Sequence, residues 1–300
     1  MRTAFIETLC ELAERDGRIW LLTGDLGYSV LEPFAERFPN RYINMGIAEQ
    51  NMAGVAAGLA LTGKTVFVYS IANFPTLRCL EQIRNDICYH QANVKIVAVG
   101  GGYSYGSQGY THHGVEDIAI MRALPYISVV APGDPLETRA VTKILSQNEG
   151  PAYLRLGKAG EPIIHQQEPV IQPGVPLLIH KGKDVALCST GAMLKTCLDA
   201  ARLAEDKGKS VAVYSFPWIK PLITESILPI IRSYRLIISV EEANASGGLG
   251  GVLAEIISET LSPRAILKRL GCGNSITPAN SQDSSRAIIG IDSLSIQRLL

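Results

Sequence analysis

Short apolar and β-branched runs alternate with helix-periodic segments along most of the chain, and few folds accommodate that rhythm. Runs at Ile19–Leu22, Arg41–Asn44, Val66–Tyr69, Lys95–Val99 and Ile127–Val130 have the length and composition of buried strands. Between them, Ala4–Glu14, Ala48–Leu61, Thr76–Tyr89, Val115–Ala123 and Pro135–Gln147 carry helical spacing, and Pro151–Leu156 can add one further strand. Such alternation predicts an α/β fold, a mostly parallel sheet flanked by helices. Each run ends in glycine, serine, proline or asparagine, so functional loops are expected at the carboxyl edge of the sheet.

The rhythm breaks over residues 158–183, where Pro162, Pro169, Pro173 and Pro176 replace helical signals. This stretch reads as an inter-domain linker. A second α/β unit starts at Val185–Cys188 and continues through Ser210–Tyr214, Leu236–Val240 and Ala265–Lys268. The expected division is therefore a first domain over 1–157, a linker over 158–183 and a second domain over 184–300. At 300 residues the chain is long enough for two hydrophobic cores.

Bulk properties exclude several function classes. Lysine plus arginine and aspartate plus glutamate each number 28, which argues against a nucleic-acid partner recruited by overall charge. The longest apolar runs are of strand length, too short to span a membrane, and no secretory signal follows Met1. Six scattered cysteines without a C-x-x-C pair suit reduced core thiols better than a disulfide framework or metal site, which makes the cytoplasm the expected compartment.

Within this frame a few residues stand out. Glu49 opens a helix rich in small residues (Ala53, Gly54, Ala56, Ala57, Gly58, Ala60), which permits close approach of a backbone or a flat ligand. A carboxylate in a first helical turn is also favoured by the helix dipole, a purely structural role. Phe74 follows a strand and can be a core aromatic. Asp25 and Leu26 follow the first strand, where aspartate often caps the next segment. His112 and His113 sit in a loop dense in glycine and tyrosine, without a third metal ligand at useful spacing.

Several segments, in order, carry a resemblance: G-D-L at 24–26, R-Y-I-N-M-G-I-A-E-Q-N-M-A-G-V-A-A-G-L-A-L-T-G at 41–63, E-Q-I-R at 81–84, T-H-H-G-V-E-D at 111–117, P-A-Y-L-R-L at 151–156 and G-G-L-G-G at 247–251. Together they resemble the pyrimidine-binding and C-terminal domains of transketolases, enzymes dependent on thiamine diphosphate. The resemblance implies that Glu49 contacts N1′ of the cofactor's aminopyrimidine and that Phe74 stacks on that ring. It implies that Leu26 supports the bent cofactor, with Asp25 near it at the subunit junction. His112 would bond the reacting sugar oxygens, and histidine suits proton transfer near neutral pH. Arg2, Ser29 and Arg155 would hold a substrate phosphate, for which guanidinium offers a planar fork of donors. A structural ion pair is the other role open to Arg155.

Two departures from the family pattern matter. Gln108 stands where many transketolases carry an aspartate that reads a sugar hydroxyl, so the donor or acceptor is expected to differ from the common sugar phosphates. The G-D-G segment that holds the diphosphate and its metal is absent: the only G-D pairs, Gly24-Asp25 and Gly133-Asp134, are not followed by glycine. The resemblance therefore implies half of a split transketolase. A separate diphosphate-binding subunit would hold Mg2+ or another divalent metal, share the thiamine diphosphate, and assemble as a heterotetramer with two copies of each chain. The expected activity is transfer of a two-carbon ketol unit from a ketose to an aldose. Use of a 2-oxo acid donor, a specialised sugar pathway, or a non-catalytic scaffold role are the alternatives.

Overall fold

The computed structural model describes residues 1–261 and 265–300 and contains two sheets flanked by helices. The first is built from β1 (Ile19–Thr23), β2 (Tyr42–Asn44), β3 (Thr65–Ile71), β4 (Val94–Val99), β5 (Ser128–Val130) and β6 (Ala152–Leu156). These six strands are parallel, in the order β5-β6-β4-β3-β1-β2. The second sheet contains β7 (Leu177–His180), β8 (Val185–Ser189), β9 (Val211–Ser215), β11 (Leu236–Asn244) and β12 (Ile266–Cys272), in the order β12-β11-β8-β9-β7. Its strands are parallel except β7, which runs antiparallel to β9 at one edge.

Helices cover both faces of the first sheet, which is why its central strands read as unbroken apolar runs rather than alternating ones. Every residue of β4 and β6 is buried. On one face the Glu49–Leu61 helix sets Met52, Ala53, Ala56 and Ala57 against Leu22, Val66 and Val68. The alanines bring this helix close to the strands, so its first turn lies directly over the carboxyl edge of the sheet. On the other face the Arg2–Arg15 helix inserts Phe5 and Leu9 against Phe67, Tyr69 and Val97. Burying a side chain of this size is worth about 1.5–3 kcal/mol.

Three features differ from the sequence-based expectation. The expected linker 158–183 contains a strand, β7, in which Leu177, Leu178 and His180 pair with β9. The expected Thr76–Tyr89 helix begins only at Leu80 and widens into a π-helix over Ile83–Cys88. Its first residues instead form turns, held where Thr76 Oγ1 donates to the Ala72 carbonyl at 2.5 Å and the Cys79 thiol lies 3.4 Å from the Phe74 carbonyl. Such side-chain bonds offer the backbone an alternative to the helical ladder. Finally, β10 (Trp218–Lys220), which the sequence did not signal, leaves the second half of the chain and joins the first sheet, antiparallel to β5. Trp218 and Ile219 are both buried there.

Candidate active site

The carboxyl ends of β1, β2 and β3 lie side by side, and the loops that leave them carry most of the singled-out residues. From β2 the chain turns at Gly46, with φ of +67°, and enters the helix at Glu49. The Glu49 side chain is only 2% exposed. Gly24, after β1, lies against it: a Cβ on Gly24 would come 3.3 Å from Glu49 Cγ. Glycine here leaves the carboxylate its space.

From β3 the chain runs through Ala72 and Asn73 to Phe74, which is half-buried. Asn73 fixes the facing loop, its Nδ2 donating to the Thr111 carbonyl at 3.1 Å and the His113 carbonyl at 2.7 Å. This tie brings His112 edge-on to Phe74, with ring centroids 5.5 Å apart and planes at 70°. His112 Nδ1 lies 3.0 Å from Thr111 Oγ1. Arg78 completes the group. Its Nη1 donates to Glu49 Oε2 at 2.6 Å, and its guanidinium carbon lies 4.7 Å from the Phe74 centroid. Beside these residues opens a cleft of about 340 Å³, lined by Asn73, Phe74, Leu77, Arg78, Tyr110 and Thr111. Cys79, the next residue in the chain, has its thiol pushed up to about 12 by burial, with the Glu49 charge adding to the effect.

The loop after β1 holds Asp25, Leu26 and Ser29. Asp25 and Ser29 both adopt left-handed backbone conformations, with φ of +55° and +62°. Asn44 Nδ2 and the Tyr28 hydroxyl donate to the Asp25 carboxylate at 3.0 and 3.1 Å. These bonds, Asn44 first, hold the Asp25 carboxyl below the usual range. Asn44 Oδ1 in turn accepts the backbone N–H groups of Asp25 and Gly46, so one side chain joins the Asp25 loop to the turn that leads into Glu49. Leu26 is half-buried, and its carbonyl accepts from Thr23 Oγ1 at 2.9 Å. Ser29 is exposed, with its N–H donated to Glu32 Oε1 at 2.7 Å.

The structure thus links Glu49 to Phe74 through Arg78, and Phe74 to His112, with Asp25 and Leu26 on the loop after β1. The remaining expected residues lie apart. Gln108 is exposed on a short 3-10 turn. Arg2 is half-buried at the start of its helix, and its Nε has no hydrogen-bond partner among the described residues. Arg155 is 6% exposed and engaged within the protein. Its Nε donates to Asp117 Oδ2 at 2.7 Å, and its Nη2 donates to the carbonyls of Gly114 at 2.6 Å and Glu242 at 2.9 Å. Through this buried ion pair and these carbonyls Arg155 ties β6 to the 114–117 segment and to β11. Sequence reasoning did not single out Arg78, Asn44 or Asn73. The one available signal was that Arg78 follows Phe74 by four positions; the asparagines carry none before the loops are placed.

Comparison with known proteins agrees with this architecture. The family described as transketolase, pyrimidine binding domain, matches residues 1–160, and that described as transketolase, C-terminal domain, matches residues 175–296. The chain is 37% identical over 266 residues to an apulose-4-phosphate transketolase subunit of Actinobacillus succinogenes, covering 89% of this chain and 86% of the relative. It is 36% identical over 301 residues to a putative transketolase C-terminal section of Methanocaldococcus jannaschii, covering 99% and 94%. A solved structure described as a split gene transketolase, inactive beta4 tetramer, superposes with a TM-score of 0.89 at 34% identity, covering 99% of this chain and 95% of that one. The chain belongs to the transketolase family, as a subunit that carries its pyrimidine-binding and C-terminal domains.

Proposed function

We propose that this chain is one subunit of a split, thiamine-diphosphate-dependent transketolase that moves a two-carbon ketol unit from a ketose to an aldose. The observation that carries the reading is the run of contacts from Glu49 through Arg78 to Phe74 and His112 at the carboxyl edge of the first sheet. Its donor set fits the aminopyrimidine end of the cofactor. It offers a water-shielded carboxylate, a half-buried aromatic ring, and a glycine at 24 where any Cβ would press on the acid.

When bound, thiamine diphosphate supplies a stabilised carbon nucleophile, the chemistry that side chains lack. The rest is the protein's task. Glu49 holds a proton at the pyrimidine N1′ atom, and burial keeps that interaction strong by excluding bulk water. Phe74 gives the ring a flat surface. Leu26 supports the cofactor from the β1 loop, with Asp25 set beside it by Asn44. His112 moves protons at the sugar oxygens. Gln108 offers a neutral hydrogen bond to a sugar hydroxyl, while Arg2 and Ser29 bind a substrate phosphate. The relative's name, an apulose-4-phosphate transketolase subunit, supports a phosphorylated substrate.

The diphosphate and its divalent metal fall to a separate subunit, with two copies of each chain in the assembly. The test is co-expression with a diphosphate-binding partner, followed by a donor and acceptor screen that includes ketose phosphates and pyruvate. Ketol transfer from a ketose phosphate is the expected result. An assembled complex that turns over neither donor class would leave the scaffold role standing.

A further inference from the structure

Arg78 stands where a bound ring would have to go. Its guanidinium lies over Phe74, 4.7 Å from the centroid, while Nη1 donates to Glu49 Oε2 at 2.6 Å. A planar cation that stacks on an aromatic face and donates N–H to a carboxylate offers the same two interactions as a protonated aminopyrimidine. We infer, resting on the reading above, that Arg78 is an internal occupant of the pyrimidine site, which closes over Phe74 and Glu49 when the cofactor is absent and withdraws when it binds.

Three observations support the exchange. The Arg78 side chain is 44% exposed, so its stem can swing into water without opening the core, whereas Glu49 is 2% exposed and stays in place. The cleft beside Phe74 gives the displaced arginine and an incoming ring room to pass. Glu49 would otherwise be a buried carboxylate with no cation beside it, an expensive state, and Arg78 is its one ion-pair partner among the described residues. The arginine thus pairs the acid and covers the aromatic face until a ring replaces it.

An occupant of this kind lowers apparent affinity by the fraction of molecules in which it is closed. A site closed nine times in ten binds about tenfold more weakly than an open one. The experiment uses the complex co-expressed with the diphosphate-binding subunit and titrates it with thiamine diphosphate by calorimetry. The variants are Arg78→Ala, Arg78→Met, which keeps an apolar stem, and Glu49→Gln. Both Arg78 variants should bind about tenfold tighter than the parent, and a crystal structure of the parent with cofactor should show the guanidinium off Phe74. If both bind as the parent does or more weakly, while Glu49→Gln weakens binding, the occupant idea is overturned and the pyrimidine site stands. If Glu49→Gln leaves binding unchanged, the site assignment itself fails and the inference goes with it.

Discussion

Asn44 and Asp25 grip each other twice: Asn44 Nδ2 donates to Asp25 Oδ1 at 3.0 Å, and the Asp25 N–H donates to Asn44 Oδ1 at 3.1 Å. The last residue of β2 thereby sets the loop after β1. Asn44→Ala should release that loop, raise the Asp25 titration toward its ordinary value of about 3.9, and weaken cofactor binding by the assembled enzyme. NMR titration of the carboxyl carbons reads the first effect. The sign is fixed by the depressed folded value: the stabilisation exists above the unfolded pKa and is lost as pH falls through the folded one. The stability gap between variant and parent should therefore shrink in acid.

Glu49→Gln removes a charge from a side chain that is 2% exposed but keeps its shape. Turnover should fall by about 10²–10⁴, the usual range for a proton-holding group. Its ion-pair partner Arg78 is 44% exposed, so the stability loss should stay near 1 kcal/mol or below. Near-normal activity in the folded variant would remove Glu49 from the mechanism.

Arg155 and Arg2 should behave oppositely. Arg155→Met leaves Asp117 uncompensated at a buried junction, a change that costs about 3–5 kcal/mol. Denaturant melts should show that loss, while KM for a phosphorylated substrate holds steady in the folded fraction. Arg2→Met should instead leave the melt nearly unchanged and raise KM for the phosphorylated substrate more than for its unphosphorylated counterpart.

His165 provides a pH signature of its own. Its Nε2 meets the fully buried Glu137 at 2.9 Å. Burial pulls its pKa down, but the hydrogen bond and charge of Glu137 outweigh that and leave it raised. A raised folded pKa gives stability that is complete below about 6.5 and disappears as pH rises through the folded value. Urea melts of the parent should weaken across that window, and His165→Gln should flatten the dependence. A parent profile as flat as the variant's would show that the contact carries no charge.

Both sheets and most of their strands could be read from the sequence because strands buried on both faces leave long apolar signatures. β7 and β10 escaped because each is short and lies at a sheet edge, and β7 follows a proline-rich stretch. The turn before Leu80 escaped because Thr76 and Cys79 reach back to carbonyls that periodicity does not see. The site divided in the same way. Glu49, Phe74 and His112 sit in local motifs and could be named through resemblance. The state of Arg155 depends on Asp117 and Glu242, 38 and 87 residues away in the chain, and only the fold brings these together.

The crossing of β10 into the first sheet bears on how such a chain can be divided. Trp218 and Lys220 cover β5 along an edge that the first 183 residues cannot cover themselves. A fragment ending at the expected linker would carry a bare, apolar strand edge, a template for intermolecular pairing and precipitation. Recombination that exchanged the second domain would have to supply a compatible edge strand along with it. The boundary drawn by sequence families thus separates the first sheet from the edge strand that covers β5.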